Sequence, residues 1–185
     1  MELKEAIVKR RTIRRFNDYQ VTDRELRELL TSAGWAPSWK NTQSWMFIVL
    51  RDRELIAEVT DTYRKKNPAR NCSLNASAVI IACARSKLAG FSEGVQTTKH
   101  AHWHLFDLGL AVQNLCLQAH QLGLASVIVG SLDHDRCRKR LNIPSDYEVV
   151  VAIPLGRAAA AAPNAPPRKE LRSFVYLNKF NDPFI

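Results

Sequence analysis

Lys99–Gly123, KHAHWHLFDLGLAVQNLCLQAHQLG, is the longest helical pattern in the chain and the stretch that decides its architecture. Leu105, Leu108, Val112, Leu115 and Ala119 recur at helical spacing and form one apolar stripe, while Phe106, Leu110, Ala111 and Leu117 occupy other faces. A helix that is apolar nearly all round sits in the centre of a core or is shared between subunits. Gly123 ends it as a C′ residue, where the left-handed conformation costs glycine nothing.

Working outward, the elements on either side alternate between helix and strand. Towards the N-terminus, Arg85–Thr98 is polar and contains glycine, which suits a mobile cover. Ser77–Ala84 reads as a strand, Asn67–Leu74 as a loop, and Trp45–Leu50 as a buried strand. Asp52 is placed to cap a helix running to about Arg64. Thr22-Asp23-Arg24-Glu25 has the capping-box pattern, opening a helix to about Trp35 that aligns Leu26, Leu29, Leu30 and Ala33. Glu2–Arg10 is a short amphipathic helix. Beyond Gly123 come a strand at Ala125–Val129, a short helix after Asp133 and a strand at Tyr147–Leu155. Such intermixing predicts an α+β fold, with helices flanking a central mixed sheet.

The chain has 185 residues, enough for one well-buried core and short for two. Residues 1–185 therefore read as one domain, with 157–185 an Ala/Pro-rich connector and an aromatic extension suited to packing on a partner subunit. No apolar run approaches the roughly 18 residues of a membrane span. The first ten residues alternate charge with apolar groups and carry no signal-peptide h-region, so the expected location is cytoplasmic. Cys72, Cys83, Cys116 and Cys137 include no C-x-x-C pair, and Cys83 and Cys116, inside apolar stretches, read as small buried hydrophobes. The formal charge of +9 admits an anionic partner, a phosphate-bearing cofactor or a nucleic acid. The basic residues are dispersed and match no nucleic-acid module, so no nucleic-acid partner is expected.

Four segments could carry chemistry. In Arg10-Arg11-Thr12-Ile13-Arg14-Arg15-Phe16, guanidinium groups can fork onto phosphate oxygens, although cations at a helix C-terminus are favoured with or without a ligand. Ala36–Trp45, APSWKNTQSW, sets short hydrogen-bonding side chains beside two indoles, which suits a planar heterocycle or an ordinary turn. Val129-Gly130-Ser131 ends a strand where glycine allows close backbone approach. Pro167-Arg168-Lys169 follows the connector and can return a second cation pair. There is no glycine-rich phosphate loop, so side-chain cations must hold any phosphate. His100, His102 and His104 suggest a metal, but on a continuous helix only His100 and His104 share a face, and no metal is expected.

Taken in order, K-R-R-T-I-R-R-F, A-P-S-W-K-N-T-Q-S-W, the central helix from Asp107 to Leu124, V-V-V-A-I-P-L-G and P-P-R-K-E resemble the nitroreductase-like family of FMN-dependent oxidoreductases over nearly the whole chain. That resemblance implies a dimeric three-layer α/β/α sandwich with FMN as cofactor and NAD(P)H as reductant. Hydride would pass through flavin N5 to a small acceptor, such as a nitroaromatic or quinone, by a ping-pong cycle. Arg10, Arg11, Thr12 and Arg168 would hold the phosphate, and Arg14 the pyrimidine edge. Pro37, Ser38, Trp39 and Asn41 would reach the flavin from the partner subunit, Gly130 would lie near N5, and Asn67 or Asn71 would supply a further amide, with Asn71 the choice. Trp39, Lys40 and Ser44 depart from the family pattern, which bears on pocket shape. A non-catalytic FMN carrier and a basic nucleic-acid-binding module are the alternative classes.

Overall fold

The computed structural model describes residues 1–184. In chain order the elements are α1 (Leu3–Lys9), α2 (Asp23–Gly34), β1 (Trp45–Leu50), α3 (Arg53–Asp61), α4 (Arg70–Leu74), β2 (Ala78–Arg85), β3 (Phe91–Ser92), β4 (Val95–Gln96), α5 (Trp103–Gln121), β5 (Ala125–Ser126), α6 (His134–Arg140) and β6 (Tyr147–Gly156). Short 3-10 turns lie at Trp39–Asn41 and Leu171–Ser173.

β2 explains the layering. Side chains alternate across a strand, so an apolar strand needs cover on both faces. Ala78, Ile80, Ala82 and Ala84 join a core with Leu29 of α2 and Leu108 and Leu115 of α5. Val79, Ile81 and Cys83 join a second core with Ile56 and Val59 of α3, Cys72 of α4 and Cys137 of α6. Helices therefore cover both faces, and the three-layer sandwich follows. Full burial of a leucine such as Leu29, Leu108 or Leu115 contributes about 1.5–3 kcal/mol.

The sheet runs β1-β2-β6-β5, and its strand pairings are antiparallel. The parallel element is an isolated bridge between Thr12 and Ser126, where the N-terminal arm joins the edge at β5. A register shift at Ala82/Cys83 lets β6 send Ile153 and Leu155 to one core and Val149 to the other.

Thr22 caps α2 through the expected capping box, with Glu25 reaching back to the Thr22 amide at 2.8 Å. Asp52 caps α3, which ends at Asp61, three residues before the expected end. Asn67–Leu74 contains α4 rather than loop alone, and the expected cover at Arg85–Thr98 carries the β3–β4 hairpin. The expected strand at Ala125–Val129 pairs at Ala125–Ser126 and again at Val129, which bridges Ala152.

The larger difference lies in the central helix. It begins at Trp103 instead of Lys99, and His102 stands before it as an N-cap with φ −101° and ψ 39°. Thr98 stands where a cap for a helix from Lys99 would be, but its hydroxyl donates to His100 O at 3.0 Å in a turn instead.

All four cysteines are free and buried. Burial pushes the thiols of Cys72 and Cys137 up to about 11 and that of Cys83 to about 12, so they stay neutral. No helix among the described residues is long and apolar enough to cross a membrane.

Candidate functional site

The arm from Arg10 to Phe16 is fixed at both ends. Arg10 closes α1, and its amide donates to Ala6 O. The Ile13 amide then donates to Ser126 O at 3.1 Å, beside the Thr12–Ser126 bridge. At the far end Phe16 bridges Ala158 and packs over Gly156. A Cβ on Gly156 would sit 2.7 Å from Phe16 Cγ, so this close approach requires glycine.

Holding the arm against the sheet edge turns its cations toward two cavities. The first, about 290 Å³, has Lys9, Arg10 and Arg11 on one side and His120, Ala125 and Ser126 on the other. The second, about 390 Å³, has Arg14 facing Asn67 and Gly130, with Arg64 and Lys66 at its margin. They follow one another along the chain: residues 125–126 line the first and residues 127–131 the second. Among the described residues, no carboxylate lines either one.

Arg11 divides its attention. Its Nη1 donates to Val8 O at 2.6 Å and Arg10 O at 2.8 Å, so part of its charge serves the carboxyl end of α1. His120 has a buried Nε2 without a hydrogen-bond partner. Burial, then the charges of Arg10 and Arg11, hold its imidazole below the usual histidine range. This cavity therefore suits an anion. Several donors and fixed cations face it, and an acceptor-rich group would relieve both the charge crowding and the orphaned nitrogen.

At the second cavity, Gly130 has no conformational reason to be glycine, since its φ is not positive. A Cβ there would meet Val151 Cγ1 at 3.8 Å, which is ordinary contact. The space in front of its backbone is thus open. Asn67 lies at this cavity with its amide nitrogen donating to Ser131 O at 3.2 Å and its Oδ1 accepting from the Ala69 amide. Asn71, on α4, is exposed, and its backbone carbonyl accepts from Asn75.

The loop between α2 and β1 lies apart from both cavities. Trp39 N–H donates to the buried Asp107 carboxylate of α5 at 3.0 Å, and Ser38 Oγ accepts from the Gln43 amide. Burial pushes the Asp107 carboxyl above its usual range, partly offset by the Trp39 amide. Lys40, Asn41 and Gln43 all have positive φ, at 48°, 54° and 46°. Three non-glycine residues in the left-handed region mark a strained loop held by its surroundings. Lys40 Nζ lies 4.7 Å from the Trp39 ring centroid and 3.3 Å from Ser92 Oγ of the hairpin.

A sequence model of the Nitroreductase family matches residues 7–157, from the arm through β6. The chain belongs to the nitroreductase family. An Archaeoglobus fulgidus relative, provisionally named an NADH dehydrogenase/NAD(P)H nitroreductase, is 33% identical over 161 residues, covering 84% of each chain. A solved structure described as an FMN-dependent nitroreductase from Clostridium difficile aligns at TM-score 0.79 and 26% identity, over 96% of this chain and 100% of that one. A nitroreductase family protein from Clostridium novyi aligns at TM-score 0.77 and 26% identity, over 100% of this chain and 97% of that one. Family membership places the chain among oxidoreductases.

Within this nitroreductase-family chain, most residues expected at the site fall into three groups, while the chosen Asn71 lines neither cavity and Asn67 lines the second. Arg10 and Arg11 share the first cavity, with Thr12 tied alongside through Ser126, while Arg14, Asn67 and Gly130 share the second. Pro37, Ser38, Trp39 and Asn41 lie together on the separate loop that Trp39 ties to Asp107, with Ser38 and Asn41 bonded to Gln43. Arg168 stands apart: the connector reaches the first cavity at Ala158 and Ala162, but Arg168 is exposed and its Nη1 donates to Pro166 O at 3.0 Å. Sequence reasoning missed Lys9, His120, Arg64 and Lys66 at the cavities. The run Arg64-Lys65-Lys66 just before Asn67 was a usable signal; His120 had none, since one histidine near a helix end is unremarkable.

Proposed function

We propose that this nitroreductase-family chain binds FMN and works as a homodimer, oxidising NAD(P)H and reducing a small acceptor such as a nitroaromatic or quinone. The observation that carries the reading is the pair of carboxylate-free cavities, successive along one sheet edge, the first faced by Arg10, Arg11 and His120 and the second by Arg14, Asn67 and Gly130. An orphaned imidazole nitrogen at one and an unfilled space before Gly130 at the other fit a phosphomonoester joined to a flat polar ring. The names of the relative from Archaeoglobus fulgidus and of the structure from Clostridium difficile support the same reading.

In this reading Arg10, Arg11 and Thr12 hold the phosphate, and Arg168 joins them from the C-terminal segment. Arg14 and Asn67 hold the polar edge of the ring. Gly130 admits the ring without a side chain in the way, and the Arg14 charge stabilises negative charge gained there. FMN, when bound, supplies the two-electron chemistry by accepting hydride from NAD(P)H at N5 and delivering it to the acceptor. The protein needs no nucleophile of its own.

A second copy of the chain would bring Pro37, Ser38, Trp39 and Asn41 to the ring. Exposed apolar side chains support the pairing: Leu3, Ile7 and Val8 on α1, Phe106 on α5, and Phe174 and Phe180 in the C-terminal extension. Steady-state NAD(P)H oxidation at varied acceptor concentration tests the function. Parallel double-reciprocal lines are expected if reductant and acceptor use one pocket in turn. Intersecting lines, or no oxidation by flavin-loaded protein, count against it.

A further inference from the structure

The start of α5 carries a second cluster that this reading does not use. His102 precedes the helix with non-helical backbone, and His104 lies in its first turn. Breaking the helix between them removes the geometry that would point their rings apart, and the ring centroids come within 5.7 Å at an interplanar angle of 68°. His104 is only 1% exposed, yet neither of its ring nitrogens has a hydrogen-bond partner. Its Nε2 faces Glu148 Oε1 of β6 at 3.4 Å without making a hydrogen bond. Leaving a buried imidazole unsatisfied costs about 1–3 kcal/mol per group, so the arrangement calls for something that uses these lone pairs.

We propose that His102, His104 and Glu148 form a binding site for a divalent transition-metal ion of the zinc type. One nitrogen from each histidine and one carboxylate oxygen lie within 4.8 Å of one another. Ligand bonds of roughly 2.0–2.2 Å in a tetrahedron set ligand atoms about 3.4 Å apart, so closure draws the three side chains together from within 4.8 Å. Two imidazoles and a carboxylate select zinc, cobalt or nickel over magnesium or calcium, which take oxygen shells. Glu148 also borders a cavity of about 440 Å³ and His102 is exposed, so solvent can reach a fourth position. The four buried cysteines offer no competing site. The ion would clip the start of α5 to β6, one helical turn from the Asp107 carboxylate that holds Trp39.

The test uses flavin-loaded protein without a histidine tag, equilibrated with Zn²⁺ by dialysis and assayed for bound metal. About one zinc per chain is expected, with a rise in the thermal midpoint on loading. His102→Ala and Glu148→Gln should each weaken zinc binding by roughly tenfold or more, since even an outer partner of a ligand costs 10–100-fold. His102 is exposed, so its variant should fold, while His100→Ala should bind as wild type does. Wild-type protein that takes up no more zinc than His102→Ala, or a His100→Ala variant that loses as much, overturns the assignment.

Discussion

The backbone amide of Trp39 donates to the carboxylate of Asp107 at 3.0 Å, across 68 residues of sequence. This bond ties the strained loop after α2 to the helix that runs through the core. Asp107 is 1% exposed while Trp39 is partly exposed, so the bond is partly buried and fastens the loop to α5. Asp107→Ala leaves the Trp39 amide without its acceptor, at a cost of about 1–3 kcal/mol. Urea unfolding should show that loss, and turnover should fall because the loop carrying Ser38, Trp39 and Asn41 relaxes. Unchanged stability and turnover would mean that the loop is held by other contacts.

Gly130 and Gly156 make opposite predictions from the same substitution. At Gly130 an added Cβ meets only ordinary contact, 3.8 Å from Val151, so Gly130→Ala should change the stability of flavin-free protein by less than about 0.5 kcal/mol. It should still weaken FMN binding, because the methyl group enters the space proposed for the ring. Thermal unfolding without FMN and a flavin titration separate the two effects. A large loss of stability without FMN would show that the protein itself requires the glycine.

Gly156→Ala should behave the other way. Its Cβ would lie 2.7 and 2.9 Å from Phe16 Cγ and Cβ, and Phe16 anchors the arm that carries Arg10, Arg11 and Arg14. Overpacking of this kind costs about 1–3 kcal/mol. Both the unfolding midpoint and FMN affinity should fall together, whereas a neutral result would mean that Phe16 can move without disturbing the arm.

Glu25 gives a pH dependence with a defined sign. Burial raises its carboxyl, but hydrogen bonds from the Thr22 amide and hydroxyl and the Tyr19 hydroxyl, with the nearby Arg157 charge, outweigh that and hold it below the usual range. A lowered folded-state pKa contributes stability above the unfolded value of about 4.3 and loses it as pH falls through the folded value. Glu25→Gln should therefore be less stable than wild type at pH 7, by about 1 kcal/mol on the scale of a cap. The gap should close as pH falls below about 4. Denaturant unfolding at pH 7 and below pH 4 checks this, and a constant gap would exclude the charge as its source.

The layering was legible because β2 is an apolar strand and Leu26, Leu29, Leu108 and Leu115 follow helical spacing. Those patterns depend on local period and burial, which one sequence carries. The capping box at Thr22 and Glu25 was legible for the same reason. The start of α5 was not. Lys99 to His102 continue an acceptable helical composition, and only their bent and turning backbone separates them from the helix that begins at Trp103. Rings at these positions on a continuous helix would diverge, whereas here His102 and His104 converge with Glu148 of a distant strand. Arg10 and Arg14 could be singled out individually, but the cavities they face are completed by His120, Asn67 and Gly130, which only packing brings near.

The most direct measurement is a titration of flavin-free protein with FMN, followed by flavin fluorescence and the visible absorption spectrum. Wild-type protein should bind one FMN per chain and turn yellow, and Arg10→Ala combined with Arg11→Ala should weaken binding at least about tenfold, the scale of a lost charge-assisted hydrogen bond. Protein that stays colourless at saturating FMN, or a double variant that binds as tightly as wild type, would contradict the assignment of the arginine-lined cavity to the flavin phosphate.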